Sequence, residues 1–201
     1  MLIKTFKTRI FKENENLIKF ISLYIKKIPE NSILVIASKI VALSEGRTVS
    51  YKNEFEKIKL IKQESDFAIK TKLVWLTFKN NIIMANAGID ESNANGKSIL
   101  LPKDSFKSAD TIRKYICKKF GIKNLGIIIS DSGLMPLRNG VIGTAIGYAG
   151  FKGVKSYKGK RDIFGRKFIF SKTNIADSLA TAGTICMGEG NERQPLAIIS
   201  D

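Results

Sequence analysis

The chain has 201 residues, 44% hydrophobic and 26% charged, with a formal net charge of +16, two cysteines and no histidine. That length suits one domain over residues 1–201, and no apolar run approaches the roughly 18–20 residues of a membrane span. Without histidine, a Ser-His-Asp triad, a Cys-His dyad and histidine-ligated metals are excluded, so any metal would be held by oxygen, which favours Mg²⁺ or Mn²⁺.

In chain order, Met1–Lys7 has no apolar stretch followed by a small-residue cleavage site, so a cytoplasmic location is expected. Glu13–Lys27 spaces Leu17, Ile18, Ile21, Leu23 and Ile25 among lysines, the pattern of an amphipathic helix limited by Pro29. Ile33–Ala37 predicts a buried strand that delivers Ser38-Lys39, continued by Ile40–Leu43 and broken at Glu45-Gly46-Arg47. Lys52–Lys70 is lysine-rich and helix-compatible. Lys72–Phe78 and Ile82–Ala85 read as strands joined by a turn at Lys79-Asn80-Asn81. Gly88–Pro102 has a loop composition, and Ser108–Phe120 has helical period with a stop at Gly121.

Leu125–Ile129 predicts a second buried strand, delivering Ser130-Asp131-Ser132. Five glycines between Gly133 and Gly150 argue against a helix there. Tyr157–Gly165 reads as a polar turn region and Lys167–Phe170 as a short strand. Asn174–Met187 reads as a helix with small residues, and Leu196–Ser200 as a closing strand. Cys117 and Cys186, in apolar helix-like contexts, read as packed thiols. The alternation places the chain in the α+β or mixed α/β class.

Three acidic clusters stand where strands or helices give way to loops: Asp90-Glu91, Asp131 between two serines, and Glu189 between Gly188 and Gly190. Each puts a carboxylate where a ligand can approach the backbone, as a divalent ion bound to a triphosphate requires. Asp and Ser at strand ends also serve as turn formers and helix caps, and spacing alone leaves both readings open. No G-x-x-x-x-G-K-[ST] phosphate loop is present.

Ile36-Ala37-Ser38-Lys39-Ile40-Val41 with Ser44-Glu45-Gly46-Arg47, Ala85–Asn93 (ANAGIDESN), Ile129–Ser132, and Met187–Gly190 with Pro195 occur in the order of four motifs of the coenzyme F420 γ-glutamyl ligase family. The resemblance runs from about Thr8 to the C-terminus. It implies a mixed α/β fold built as an intertwined homodimer. It further implies that Asp90, Asp131, Ser132 and Glu189 hold two divalent ions, Mg²⁺ or Mn²⁺. Ser38, Lys39 and Asn93 match nucleotide-binding positions. So do Thr8, Arg9, Ile10 and Phe11, and the closing loop of Met187, Gly188, Glu189, Gly190, Asn191, Glu192, Arg193 and Gln194. Asp90, Asp131 and Lys39 are the implied catalytic residues.

The chain departs from the F420 enzymes at Leu43, where a second lysine is usual. It also departs after Asp131, where Ser132–Gly140 (SGLMPLRNG) replaces a T-F-G-R continuation. That stretch, with Gly147–Phe151, Asp162–Arg166 and Thr173–Asp177, is similar to a branch assigned to folate. The implied reaction is γ-glutamyl ligation: the γ-phosphoryl of GTP or ATP activates a carboxylate of the acceptor as an acyl phosphate, and the amine of L-glutamate displaces phosphate. Lys39, with Arg138 or Arg166, would add positive charge at the transferring group. Folate is the favoured acceptor on these departures, with the deazaflavin F420 precursor and GTP as the alternative. A non-catalytic nucleic-acid-binding protein is the remote alternative, raised by the net charge alone. The lysines are dispersed rather than gathered in one arm, which favours a field attracting small anions.

Overall fold

The computed structural model describes residues 1–201. In chain order the elements are β1 (Leu2–Phe6), α1 (Leu17–Tyr24), β2 (Ser32–Ala37), α2 (Ser38–Ser44), β3 (Thr48–Val49), α3 (Glu54–Gln63), β4 (Phe67–Lys70), β5 (Trp75–Lys79) and β6 (Ile82–Ala85). They continue with β7 (Ser98–Ile99), α4 (Ser105–Phe120), β8 (Leu125–Leu134), β9 (Val141–Ala149), β10 (Val154–Ser156), β11 (Lys172–Asn174), α5 (Ile175–Met187) and β12 (Leu196–Ser200). The class is mixed α+β, as expected. No helix is long and apolar enough to cross a membrane.

The centre is a five-stranded mixed sheet in the order β1-β12-β2-β8-β9. Only β2 and β8 are parallel; the other neighbours run antiparallel. Both faces of β2 and β8 are covered, which is why their sequences are near-continuous apolar runs rather than alternating ones. Leu34, Ile36, Ile127 and Ile129 face one way and pack with Phe20, Ile21, Ile112 and Ile116 of α1 and α4. Val35 and Ile128 face the other way and pack with Ala180 of α5. Successive residues point to opposite faces of a strand, so each strand serves two cores at once.

A second layer comes from the antiparallel sheet β4-β5-β6. Its β5–β6 turn places Asn80 and Asn81 at φ +51° and +63°, the left-handed pair that a two-residue hairpin of the right twist demands. A further pair, β10 with β11, forms the base of an arm that leaves Ile163 and Phe164 exposed at its tip and Ile169 and Phe170 exposed near its base.

Several sequence expectations change. Ile40–Leu43 does not extend β2 but belongs to α2. Ile40 and Val41 join the main core while Ala42 packs with Ala94 and Ile99, so neighbouring residues diverge around a helix rather than alternate across a strand. The expected helix over Lys52–Lys70 ends at Gln63, and Phe67–Lys70 becomes β4, paired to β5. The loop Gly88–Pro102 contains β7, the α4 helix starts three residues early at Ser105, and Lys167–Phe170 forms no strand beyond one bridge at Lys167. Strand β1, Leu2–Phe6, is too short for its sequence to show a clear alternation. Cys117 packs against the main core, whereas Cys186 is exposed, correcting its reading as a packed thiol.

The glycine-rich stretch Gly133–Gly150 forms no helix, as expected; it contains the end of β8 and all of β9. Its glycines are contact points rather than breakers. A Cβ at Gly147 would lie 2.4 Å from the Ser105 backbone of α4, and one at Gly143 would lie 2.7 Å from the Ala180 carbonyl oxygen of α5. Helices sit on β9 from both sides because these positions carry no side chain.

Candidate active site

The parallel pair β2 and β8 ends in register, Ala37 opposite Ser130. Their next residues, Ser38 and Asp131, therefore emerge side by side at the carboxyl end of the sheet, the usual location of ligand sites in such sheets. The Ser38 hydroxyl donates to Asp131 Oδ1 at 2.6 Å. A bulge between Ile129 and Ser130 on the β8–β9 ladder, where Ile129 faces Gly147 but Ser130 faces Ala145, re-aims the strand just before Asp131.

Asp90 reaches the same end from the other layer. The backbone at Asn86, Ala87 and Gly88 takes positive φ at three successive residues, +51°, +57° and +73°. For alanine that conformation costs of the order of 1–2 kcal/mol, and it persists because the surroundings over-determine it. The Ala87 N–H donates to Thr77 Oγ1 at 2.8 Å, Thr77 Oγ1 donates to the Met84 carbonyl at 2.8 Å, and the Trp75 N–H donates to Asn86 Oδ1 at 3.0 Å. A Cβ on Gly88 would meet Leu101 at 2.7 Å. Beyond this turn Asp90 bridges to Ile99 through two backbone hydrogen bonds.

Lys39 links the layers. Its Nζ lies 2.8 Å from Asp90 Oδ2 and donates to the Ser92 carbonyl at 2.8 Å. Asp90 Oδ1 accepts the Ser92 N–H at 2.6 Å. Burial pushes the Asp90 carboxyl up, but the hydrogen bonds from Lys39 and Ser92 outweigh it and hold the group below the usual carboxylate range. Asp131 behaves oppositely. Its pKa is pushed up to about 6, first by burial and then by the negative charges of Asp90 and Glu189, against the opposing Ser38 hydrogen bond and Lys39 charge. Part of the residue's surface stays accessible, yet the carboxyl itself sits where water is scarce.

Glu189 follows the C-terminus of α5, where Gly188 at φ +84° turns the chain. The Ser132 hydroxyl lies 2.7 Å from both Glu189 oxygens. The structure therefore brings Ser38, Lys39, Asp90, Asp131, Ser132 and Glu189 to one end of the sheet. The loop Met187–Gln194 lies between the other expected nucleotide positions: the Thr8 N–H donates to the Arg193 carbonyl at 2.8 Å, and Asn93 Nδ2 donates to the Gly190 carbonyl at 3.4 Å. Gly190 is held by Glu192, whose Oε2 accepts its N–H at 2.8 Å, and the Thr5 hydroxyl donates to Gln194.

Not every expected residue presents its side chain. Phe11 is in the main core, edge-on to Phe20, and Met187 is in the α5 core. From these positions only backbone can reach a ligand. Arg9 is paired with Glu15 and stacked over Phe20, while Ile10 is exposed. Arg138 lies in the exposed β8–β9 connection and Arg166 in the arm. Leu43 packs against the core.

Asp90, Asp131 and Glu189 do not close into a three-carboxylate metal cage. The donor set nonetheless fits a hard cation. It consists of oxygen only, and the charges of Asp90 and Glu189, which add to burial in raising Asp131, are what a cation between these carboxylates would offset. Asp177, which sequence reasoning noted only within a motif, binds the Ala145 N–H beside the bulge at 2.8 Å. An Asp in the first turn of a helix signals a cap and nothing more, so its partner was not readable.

The sequence model described as "F420-0:Gamma-glutamyl ligase" matches residues 5–201. A coenzyme F420:L-glutamate ligase of Methanococcus maripaludis is 36% identical over 205 residues, covering 93% of this chain and 82% of the relative. The protein of that name from Methanocaldococcus jannaschii is 35% identical, covering 94% and 83%. The one from Methanothermobacter thermautotrophicus is 32% identical, covering 85% and 75%. The chain belongs to the F420-0:γ-glutamyl ligase family and is an amide-forming γ-glutamyl ligase.

Proposed function

We propose that the chain, as one ligase unit over residues 1–201, joins L-glutamate to a deazaflavin coenzyme of the F420 type at the expense of GTP. The relatives carry the name coenzyme F420:L-glutamate ligase, which favours the deazaflavin acceptor over the folate suggested by Leu43 and the Pro136-Leu137-Arg138 stretch. The observation that carries the reaction is the gathering of Asp90, Asp131, Ser132 and Glu189 beside Lys39, with the Asp131 carboxyl pushed up first by burial and further by its acidic neighbours.

In this reading Asp90, Asp131, Ser132 and Glu189 would hold two divalent ions, which would neutralise phosphate oxygens and bring donor and acceptor into line. Ser38 keeps Asp131 oriented through its hydroxyl. With the Asp90 carboxylate engaged by a cation, Lys39 would no longer pair with it and would hold a phosphate oxygen. Thr8–Phe11, Asn93 and the loop Met187–Gln194 enclose the nucleotide, with Phe11 and Met187 contributing backbone only. A carboxylate does not react with an amine in water, so the acceptor carboxylate first receives the γ-phosphoryl group. The amine of glutamate then displaces phosphate and leaves the amide. The exposed apolar side chains along the β10–β11 arm support a further reading, that two copies pair through it.

The test is incubation with L-glutamate, Mn²⁺, and GTP or ATP, with F420-0 or tetrahydrofolate as acceptor. The expected product is F420-0 heavier by one glutamyl residue, with GDP and phosphate released in equal amounts. Glutamylation of folate alone would replace the acceptor; absence of nucleoside diphosphate release with both acceptors would sink the reading.

A further inference from the structure

Asp131 owes its position to β9, and β9 owes its own to α5. Opposite the step from Ile129 to Ser130, β9 carries one extra residue, Ile146. Past it, Ala145, Thr144 and Gly143 face Ser130, Asp131 and Ser132. β9 is the last strand of the sheet, so polar groups on its outer edge have no strand to bond. Two find α5 instead: the Ala145 N–H donates to Asp177 Oδ1 at 2.8 Å, and the Gly143 carbonyl accepts from Thr181 Oγ1 at 2.7 Å. Between them, Thr144 Oγ1 donates to the carbonyl of Asp131 at 3.1 Å. The other Asp177 oxygen accepts from Asn174, the cap of α5, which fixes the carboxylate's direction. Gly143 completes the contact, since any side chain there would strike Thr184 and the Ala180 carbonyl.

We propose that Asp177 and Thr181 are positioning residues that clamp β9 on either side of Thr144 and thereby set the place of Asp131. This rests on the ligase reading above. A bulged edge strand is the part of a sheet most free to shift register, and a carboxylate displaced by 1 Å loses much of its value at a metal or phosphate. The competing role is purely structural, with Asp177 stabilising the first turn of α5.

The experiment compares the full chain with Asp177→Ala, Asp177→Asn and Thr181→Val. It measures Mn²⁺ binding by paramagnetic resonance, kcat and KM, and hydrogen exchange at the Ala145 amide. Asp177→Ala is expected to weaken Mn²⁺ binding by about 10–100-fold, as loss of an outer support does, and to lower kcat while the KM for glutamate holds. Asp177→Asn keeps an oxygen for Ala145 and is expected to restore binding to within about threefold of the unsubstituted chain. Thr181→Val, which deletes one hydroxyl and carries the test should Asp177→Ala not fold, should shift both in the same direction as Asp177→Ala. Unchanged Mn²⁺ binding in Asp177→Ala, or an Asn variant as impaired as the Ala variant, would overturn the clamp. An inactive unsubstituted chain would count against the ligase reading instead. The clamp would then stand or fall on whether the Ala145 amide exchanges faster in Asp177→Ala and not in Asp177→Asn.

Discussion

Asp131 is held in a state it would not choose alone. Its carboxyl ionises at about 6 in the folded chain against an ordinary 3.8, owing to burial and to the charges of Asp90 and Glu189. The folded state therefore binds this proton more tightly than the unfolded one. The group favours folding fully below pH 4, and that contribution is lost as pH rises through 6. In EDTA, Asp131→Asn should match the unsubstituted chain near pH 4 and exceed its stability by roughly 1–3 kcal/mol above pH 7, while losing ligase activity. Denaturant melts at the two pH values check this; equal stability at pH 7 would remove the idea of an electrostatically strained site. Asp90 and Glu189 were legible in the sequence as carboxylates beside glycine or small polar residues. That Lys39 would pair with Asp90 across 51 residues was not, because nothing local relates the two positions.

Elements deliver these residues, and each does so by a different device. The strands β2 and β8 were readable from their apolar runs, and their parallel pairing places Ser38 beside Asp131. The Asn86–Gly88 turn depends on a buried hydroxyl. Thr77→Val keeps the shape of the side chain but leaves the Ala87 N–H without a partner, which should cost about 1–3 kcal/mol. It should also loosen the Asp90 loop, so thermal melts would fall together with nucleotide binding. A melting temperature unchanged from the parent would mean the turn is held by Asn86 and Gly88 alone. The stretch from Gly133 to Gly150 forms no helix, as its glycines implied, but composition did not say that it would be strand. Glycine lowers the propensity of a strand as it does that of a helix, but Gly143 and Gly147 are placed where two helices meet the β9 backbone. Only those helices, distant in sequence, make glycine the fitting residue.

At the scale of the whole molecule, two features outlast the site. The arm carries Phe164 and Phe170, 89% and 80% exposed, beside exposed Ile163 and Ile169. A soluble chain rarely leaves such a patch uncovered. If two copies pair through it, light scattering should give the mass of a dimer for the unsubstituted chain and of a monomer for Phe164→Ser with Phe170→Ser; a monomeric parent would end that reading. The excess of 34 basic over 18 acidic residues is dispersed along the chain rather than gathered in one arm.

Local chemistry was enough to determine several features. The lack of histidine limits a metal to oxygen ligands, the apolar runs become buried strands, Gly121 ends a helix, and the ordered motifs identify the family. Each depends on residues that are neighbours along the chain. Tertiary structure alone decided that Ser38, Asp90, Asp131 and Glu189 share one end of a sheet, that α5 holds the edge strand beside Asp131, and that the glycines of β9 are contacts. Those outcomes depend on register and packing between segments tens of residues apart, where a one-residue slip would turn every side chain to the opposite face.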